Sequence, residues 1–360
     1  MVTVAITASK SYNIYIDRGL LDRCGKEVRT TLPKVKKVML VGDDTTMSLY
    51  GERTERSLVE SGLTVARFTF PHGEESKNLA TYGTLLTAMA EAELTRSDCA
   101  VALGGGVVGD LTGFAAATYL RGIPVVQIPT TVLAAVDSSV GGKTAVDLPT
   151  GKNLVGAFHQ PSLVLCDPTT FATLPQETFA DGMAEVIKYG FIGDKDLLDR
   201  LAKTDLPTLM AGDDDALETV LAACVRDKGT FVAADERDTG VRQKLNLGHT
   251  LGHGIEAASH FAISHGSAVA IGMHLVTRGA VRRGLCPPEA LTLLEDLLRR
   301  YQLPKDCPYA ADALYRAATH DKKRAGNTIT LVLPVAVGES ALCPMTMEEA
   351  RIFVEDCMGE

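Results

Sequence analysis

Five of the eight histidines of this chain (His249, His253, His260, His265 and His274) fall within 26 residues. Imidazole is the commonest metal ligand and the side chain that most readily moves a proton near neutral pH. His249 and His253 stand at i, i+4 in Gly248-His249-Thr250-Leu251-Gly252-His253. On a helix they share a face and can converge on one ion. His265 opens the next helical segment, and Glu185, a charge inside the apolar stretch Met183-Ala184-Glu185-Val186-Ile187, offers a carboxylate. Two imidazoles and one carboxylate leave a zinc position open for a substrate oxygen. Metal binding or direct catalytic work is expected of His249, His253 and His265 together, and a hydrogen-bonded core position of His260 and His274.

A second kind of chemistry is written at Leu103, which is followed by Gly104-Gly105-Gly106-Val107-Val108-Gly109-Asp110 and an apolar helical stretch. Gly104, Gly106 and Gly109 satisfy G-x-G-x-x-G in a strand-turn-helix setting, where backbone N–H groups and a helix N-terminus can approach a pyrophosphate. A dinucleotide is one reading and a tight structural turn the other. No acidic residue ends a strand about 20 residues further on, where a ribose-binding carboxylate is expected. The strand-terminal acids are upstream, at Asp43-Asp44. A bound dinucleotide would therefore have its adenosine ribose held from that earlier strand, in a sheet ordered differently from the standard dehydrogenase one.

Arg121, Lys143, Lys152, Lys188, Lys228, Arg242 and Lys322 lie within two residues of Gly, Asn or Asp. Together they suit a substrate carrying phosphate or carboxylate, Lys as point charge and Arg as a bidentate fork. Glu74 and Asp137, in loop or glycine-rich surroundings, are ribose or nicotinamide contacts, or helix caps.

These groups need a scaffold, and the sequence supplies two kinds. Apolar runs at 35–41, 63–70, 99–103 and 124–128 alternate with helical patterns at 45–61 and 79–93, which calls for a mostly parallel α/β sheet. From about residue 179 the segments are long and helical (179–193, 195–210, 215–233, 246–260, 265–283, 288–300, 309–320), with a hairpin expected at 327–333. The expected architecture is an α/β nucleotide-binding domain over 1–173 and a mainly helical metal- and substrate-binding domain over 174–360.

Composition excludes several classes. With 360 residues, 46% hydrophobic and 22% charged, the chain is too long for a disulfide-stapled module and too apolar for dominant disorder. A net charge of −9 without a basic run argues against a nucleic-acid partner. No stretch reaches the ~18 consecutive apolar residues of a membrane helix. The start alternates like a strand rather than like an export signal. Eight scattered cysteines without a CxxC pair point to thiols in a reducing cytoplasm.

Taken in order, PHGEESK (71–77), GGGVVGDLTGFAAATYLRGI (104–123), IPTTVLAAVDSSVGGKTAVD (128–147), GKNLVGAFHQP (151–161), AEVIKYG (184–190), DERDTGVRQKLNLGHTLGH (235–253) and HGSAVAIGM (265–273) resemble the 3-dehydroquinate synthase family over essentially the whole chain. The resemblance implies a two-domain enzyme that uses NAD and a divalent metal, zinc or else cobalt. It implies conversion of 3-deoxy-D-arabino-heptulosonate 7-phosphate to 3-dehydroquinate and phosphate, by transient oxidation, β-elimination, re-reduction and aldol closure. The family's metal ligands fall on Glu185, His249 and His265, whereas His253 faces substrate. Its NAD contacts fall on Asp43, Thr45, Glu74, Lys77, Gly105, Gly106, Val107, Asp110, Thr130, Thr131, Lys152 and Thr173. Catalytic roles fall on Asp137, Lys143, Lys188, Arg242, Asn246 and His253, and substrate contacts on Arg121, Asn153, Lys228 and Lys322. A homodimer is implied. Ser267 stands where the family usually has Glu, and Thr45 where many members have Asn. Alternatives sharing the fold are another sugar phosphate cyclase or a glycerol-dehydrogenase-like metal alcohol dehydrogenase, although the cations favour a doubly anionic substrate. A different class again would be a catalytically inert NAD-binding module.

Overall fold

A computed structural model describes residues 1–212, 215–319 and 327–359. The chain divides into two compact units, Met1–Leu174 with Leu217–Arg237, and Pro175–Ala216 with Asp238–Glu360.

The first unit holds β1 (Val2–Ile6), β2 (Tyr12–Ile16), β3 (Lys37–Asp43), β4 (Thr64–Phe70), β5 (Cys99–Gly104), β6 (Val125–Pro129), β7 (Lys143–Leu148), β8 (Gly151–Phe158) and β9 (Leu163–Cys166). Seven of these form one sheet in the order β1-β2-β9-β6-β5-β3-β4. Only β1 and β2 pair antiparallel within it; every other neighbour is parallel. Period-2 alternation explains why the central strands read as unbroken apolar runs. Val38, Leu40, Val101 and Leu103 face one helical layer, while Met39, Val41, Ala100 and Ala102 face the other. The expected helix over 45–61 forms in three pieces, Asp44–Thr46, a π-helical turn Met47–Gly51, and Glu52–Glu60. The antiparallel pair β7 and β8 forms in a stretch for which the sequence patterns predict no strand.

The helix Ala216–Ala234 comes from the second half of the chain, yet most of it belongs to the first unit. Glu218 accepts a hydrogen bond from Arg18, and Lys228 donates to Asp137. The helical pattern of this segment is visible in the sequence, but periodicity does not say which body a helix packs against. Lys228, expected in the helical half, is thus carried by the sheet unit.

The second unit is built on the helices Gln176–Ile192, His249–Ala258, His265–Arg282, Pro288–Arg300 and Met347–Met358, with a hairpin of β10 (Thr328–Ala336) and β11 (Glu339–Thr346). The first of these is apolar on nearly every face and correspondingly buried. The expected helix over 195–210 is two, Lys195–Leu201 and Leu206–Ala211, because Asp205 caps the second and Pro207 opens it. The helix expected from residue 246 begins at His249 instead. Gly248 is left-handed there (φ 79°), and a 3₁₀ turn, Val241–Asn246, precedes it.

Two glycines set the spacing of these helices. A Cβ on Gly272 would lie 2.1 Å from the Gly248 carbonyl oxygen, and one on Gly266 would lie 1.9 Å from that of Asp181. Both contacts are backbone against backbone, and they let the three helices bearing Glu185, His249 and His265 approach closely.

Candidate functional site

Glu185 sits in the middle of the Gln176–Ile192 helix, and His249 and His265 each open a helix of their own. Ligand atoms of the three lie within 4.8 Å of one another. Glu185 Oε1 is 3.3 Å from His249 Nε2 and 3.5 Å from His265 Nε2. That oxygen is fully buried and accepts no hydrogen bond. Each imidazole is turned by its other nitrogen: His249 Nδ1 lies 3.1 Å from the Leu247 carbonyl, and His265 Nδ1 lies 3.2 Å from Glu256 Oε2. An imidazole that donates Nδ1–H to an oxygen presents the Nε2 lone pair outward, the arrangement of metal-ligating histidine. An orphaned carboxylate oxygen facing two such nitrogens fits a divalent cation with three protein ligands.

The electrostatics agree with that fit. Burial alone would raise the Glu185 carboxyl, but the Lys188 ammonium and the two imidazoles outweigh it and hold the group well below the usual carboxylate range. Burial pushes His249 down to about 4, against the pull of Glu185, so it stays neutral. Burial would lower His265 as well, yet the Glu185 carboxylate beside it and its bond to Glu256 carry it up to about 10. The cluster thus attracts one positive charge, here a proton that a divalent cation would displace.

Lys188 donates to the other Glu185 oxygen, Oε2, one helical turn along, and is almost wholly buried. His253 lies beside the cluster, its ring centroid 5.5 Å from that of His249 and 6.0 Å from that of His265. Arg242 is among the largest fully buried side chains and, with Asn246, sits on the 3₁₀ turn leading into the His249 helix. The other two histidines differ from these. His274 is buried with Nδ1 2.9 Å from the Lys305 carbonyl and Nε2 3.0 Å from Glu295, as expected of a core residue. His260, expected in the core, is exposed in a turn at φ 51°, because the helix ends just before it.

In the first unit, β4 leaves β3 on one side and the chain then crosses back to place β5 on the other. Such a reversal opens a crevice beyond the carboxyl ends of the two strands, where ligands of parallel α/β sheets bind. Asp43 ends β3, and Gly104-Gly105-Gly106 ends β5 and begins the helix Gly106–Thr118, which has no side-chain cap. Asp43 caps the short helix after it, accepting from Thr46 N at 2.7 Å. Gly105 lies against Thr131, and Thr130 N donates to the Gly104 carbonyl, so the two turns are fastened together. Thr45 is exposed beside Asp43, and Val107 and Asp110 lie in the first turns of the glycine helix.

Lys77 is the centre of a buried network, donating to Asp110 Oδ2 at 2.6 Å and to Asn153 Oδ1 at 2.7 Å. Burial would lower the Lys77 ammonium, but Asp110 and Glu74 outweigh it and raise it. Burial leaves the Asp110 carboxyl raised despite Lys77. Lys152 Nζ lies 3.7 Å from Glu74 Oε1. Lys228 Nζ reaches both the carbonyl and the carboxylate of Asp137, at 2.7 and 2.6 Å. The Thr173 hydroxyl bonds that of Tyr50. Arg121 is exposed at φ 69°, and Lys143 is exposed at the start of β7. Lys322 lies outside the described residues.

Sequence reasoning missed two residues that hold the cluster in shape. Glu256, buried in the His249 helix, carries the same signal that singled out Glu185, an acid within an apolar helical run. Asp181, one turn before Glu185, accepts from Ser267 N at 2.8 Å and from the Ser264 hydroxyl at 2.5 Å, and so fixes the N-terminus of the His265 helix. Nothing in local spacing announces that contact, because 83 residues separate Asp181 from Ser264.

Two family models match, one described as 3-dehydroquinate synthase N-terminal over residues 67–181 and one as 3-dehydroquinate synthase C-terminal over residues 182–324. Among similar sequences, the 3-dehydroquinate synthase of Symbiobacterium thermophilum is 47% identical, the match covering 94% of this chain and 95% of that one. The one from Streptococcus pneumoniae is 44% identical over 95% and 96%. Among solved structures, 2-epi-5-epi-valiolone synthase from Streptomyces hygroscopicus, with NAD+ and Zn2+ bound, superposes with a TM-score of 0.88 at 27% identity over 99% of both chains. A 2-deoxy-scyllo-inosose synthase complexed with carbaglucose-6-phosphate, NAD+ and Co2+ gives 0.84 at 27% over 98% and 99%.

Proposed function

The chain belongs to the 3-dehydroquinate synthase family, and from that premise we propose a residue-level account of how it converts 3-deoxy-D-arabino-heptulosonate 7-phosphate to 3-dehydroquinate and phosphate. It is an NAD- and divalent-metal-dependent lyase. The observation that carries the residue assignment is the convergence of Glu185 Oε1 with the Nε2 atoms of His249 and His265.

Glu185, His249 and His265 hold the metal. When bound, NAD accepts and returns a hydride at the ring alcohol, and the metal makes that alcohol more acidic. Asp43, Thr45, Glu74, Lys77, Gly105, Gly106, Val107, Asp110, Thr130, Thr131, Lys152 and Thr173 receive NAD; support comes from the strand reversal beside β3 and β5, and from the uncapped helix N-terminus, which favours a pyrophosphate. Lys188 neutralises one Glu185 oxygen and leaves the other for the metal. His253, the imidazole of the cluster left over from ligation, faces the substrate and exchanges protons with it. Arg242 and Asn246 orient the substrate's anionic end, the guanidinium as a planar bidentate fork. Asp137 and Lys143 complete the catalytic set, and Arg121, Asn153, Lys228 and Lys322 are further substrate contacts. Asp137 and Lys228 act as a pair, their charged atoms 2.6 Å apart.

The assembly is a homodimer of the cytoplasm. All eight cysteines are free thiols, as a reducing compartment would keep them. No helix among the described residues is long and apolar enough to cross a membrane.

Phosphate release from the heptulosonate phosphate is the direct assay. Turnover is expected with NAD and zinc or cobalt present, and none once the metal is chelated. Turnover of hexose phosphates in place of this substrate would reassign the chain to another cyclase.

A further inference from the structure

The two imidazoles facing Glu185 are oriented by different means. His249 Nδ1 is held by a backbone carbonyl, that of Leu247, which no side-chain substitution removes. His265 is the first residue of its helix, and its Nδ1 is held by the carboxylate of Glu256, nearly inaccessible to solvent on the neighbouring helix. We propose that Glu256 is the positioning residue of the metal centre: through His265 it fixes which ring nitrogen carries the proton, aims Nε2 at Glu185, and so sets the affinity for metal. The inference rests on the metal-centre reading above.

A carboxylate is better suited to this work than a carbonyl. It accepts Nδ1–H in a charge-assisted hydrogen bond and makes the opposite nitrogen a stronger donor to a cation. Glu256 could instead be a ligand in its own right, because its carboxylate and the imidazoles of His253 and His265 also lie within 4.8 Å of one another. His265 has two nitrogens, however, and Nε2 is turned to Glu185. A second ion on Nδ1 would make one imidazole bridge two cations and would displace the proton that orients it. Positioning satisfies both nitrogens of His265; ligation by Glu256 does not.

The test is zinc affinity and stoichiometry in the purified full chain, by competition with a chromophoric chelator, together with the visible absorption of the cobalt-substituted protein. Glu256→Leu is expected to weaken zinc binding about ten- to a hundredfold and to alter the cobalt spectrum. Glu256→Gln, whose amide oxygen still accepts Nδ1–H, is expected to fall between it and the parent. A merely structural role would lower the unfolding temperature of both variants without that order and without a spectral change. Should Glu256→Leu not fold, Glu256→Asp takes its place, since it keeps the charge but draws the oxygen away from Nδ1. Zinc affinity within about twofold of the parent in whichever of the two folds, or two zinc ions per chain of which one is lost with Glu256, overturns the proposal. Glu185→Gln separates the two readings. If it keeps zinc, the metal centre itself is misassigned; if it loses zinc while the Glu256 variants keep it, only the role of Glu256 fails.

Discussion

The sheet unit offers its candidate cofactor crevice largely as backbone, whereas the helical unit offers its candidate metal cluster entirely as side chains. In the first, the turn at Gly104-Gly105-Gly106 and an uncapped helix N-terminus present N–H groups, and the nearby Lys77–Asp110 and Glu74–Lys152 pairs supply charge. In the second, three helices each give one residue, and glycine contacts at Gly266 and Gly272 determine how closely those residues meet. A backbone site tolerates exchange of side chains but not of strand order. A side-chain site depends on every ligand, and on every small residue that lets the ligands converge. Substitutions should therefore fall hardest on the helical unit.

The largest expected effect is that of Glu185→Gln, since a neutral amide is a far poorer metal ligand than a carboxylate. Zinc measured after gel filtration is expected to be lost, and phosphate release with it. Lys188 keeps an acceptor but not its counter-charge, so stability is also expected to fall, by up to about 3 kcal/mol. Full zinc occupancy in this variant would remove the contrast between the units.

Gly272→Ala comes next. Its new methyl would press on the Gly248 carbonyl, 2.1 Å from the ideal Cβ position. A loss of about 3 kcal/mol in urea unfolding is expected, with weakened zinc binding, because rigid backbone must move. Unchanged stability would mean that the helices are not held at this spacing in solution.

Arg242→Gln removes a buried fork from the proposed substrate-binding set without touching a proposed metal ligand. Loss of one charge-assisted contact is expected to lower kcat/KM about ten- to a hundredfold while zinc content stays at the parent level. Constants indistinguishable from the parent would place this residue outside the site.

The smallest effect belongs to the sheet unit. Asp98 accepts from Lys37 N at 2.8 Å, from Lys36 N at 3.2 Å, and from Thr95 N and Oγ1 at 2.8 and 2.7 Å. Burial alone would raise its carboxyl, but these bonds outweigh it and hold it below the ordinary value. A carboxyl depressed in the folded state adds stability above its unfolded pKa of about 3.9, and that stability is lost as pH falls through the lower folded value. Asp98→Asn is thus expected to lose about 1.5 kcal/mol at neutral pH. The gap from the parent should close as urea unfolding is repeated at increasingly acid pH, with zinc binding unaffected throughout. An equal gap at every pH would show that the charge of Asp98 contributes nothing.

How much of this could be read from the sequence follows the same division. The parallel sheet was legible because buried strands are continuous apolar runs, and the glycine turn because its chemistry lies in consecutive residues. The absence of a downstream ribose acid pointed to Asp43, and β3 does lie next to β5. The hairpin β7–β8 was not legible, since glycines at 141, 142, 151 and 156 interrupt the segment and Leu154 and Phe158 stand exposed rather than on a buried face, so no clean period-2 alternation appears. On the helical side, i, i+4 spacing favoured His249 with His253. Spacing reports which residues share one helix, however, not which residue of another helix arrives opposite. The meeting of His265 with Glu185 depends on the Gly266–Asp181 contact and on Asp181 capping the His265 helix, and both join residues far apart in sequence. For the same reason Lys228 could be read as helical but not assigned to the unit that carries it.

Anomalous diffraction at the zinc edge, from crystals of the zinc-loaded protein, identifies the three metal ligands without recourse to activity. One peak per chain is expected, about 2.0–2.2 Å from Glu185 Oε1, His249 Nε2 and His265 Nε2. A peak bound by His253 in place of His265, or none within reach of Glu185, would contradict that assignment.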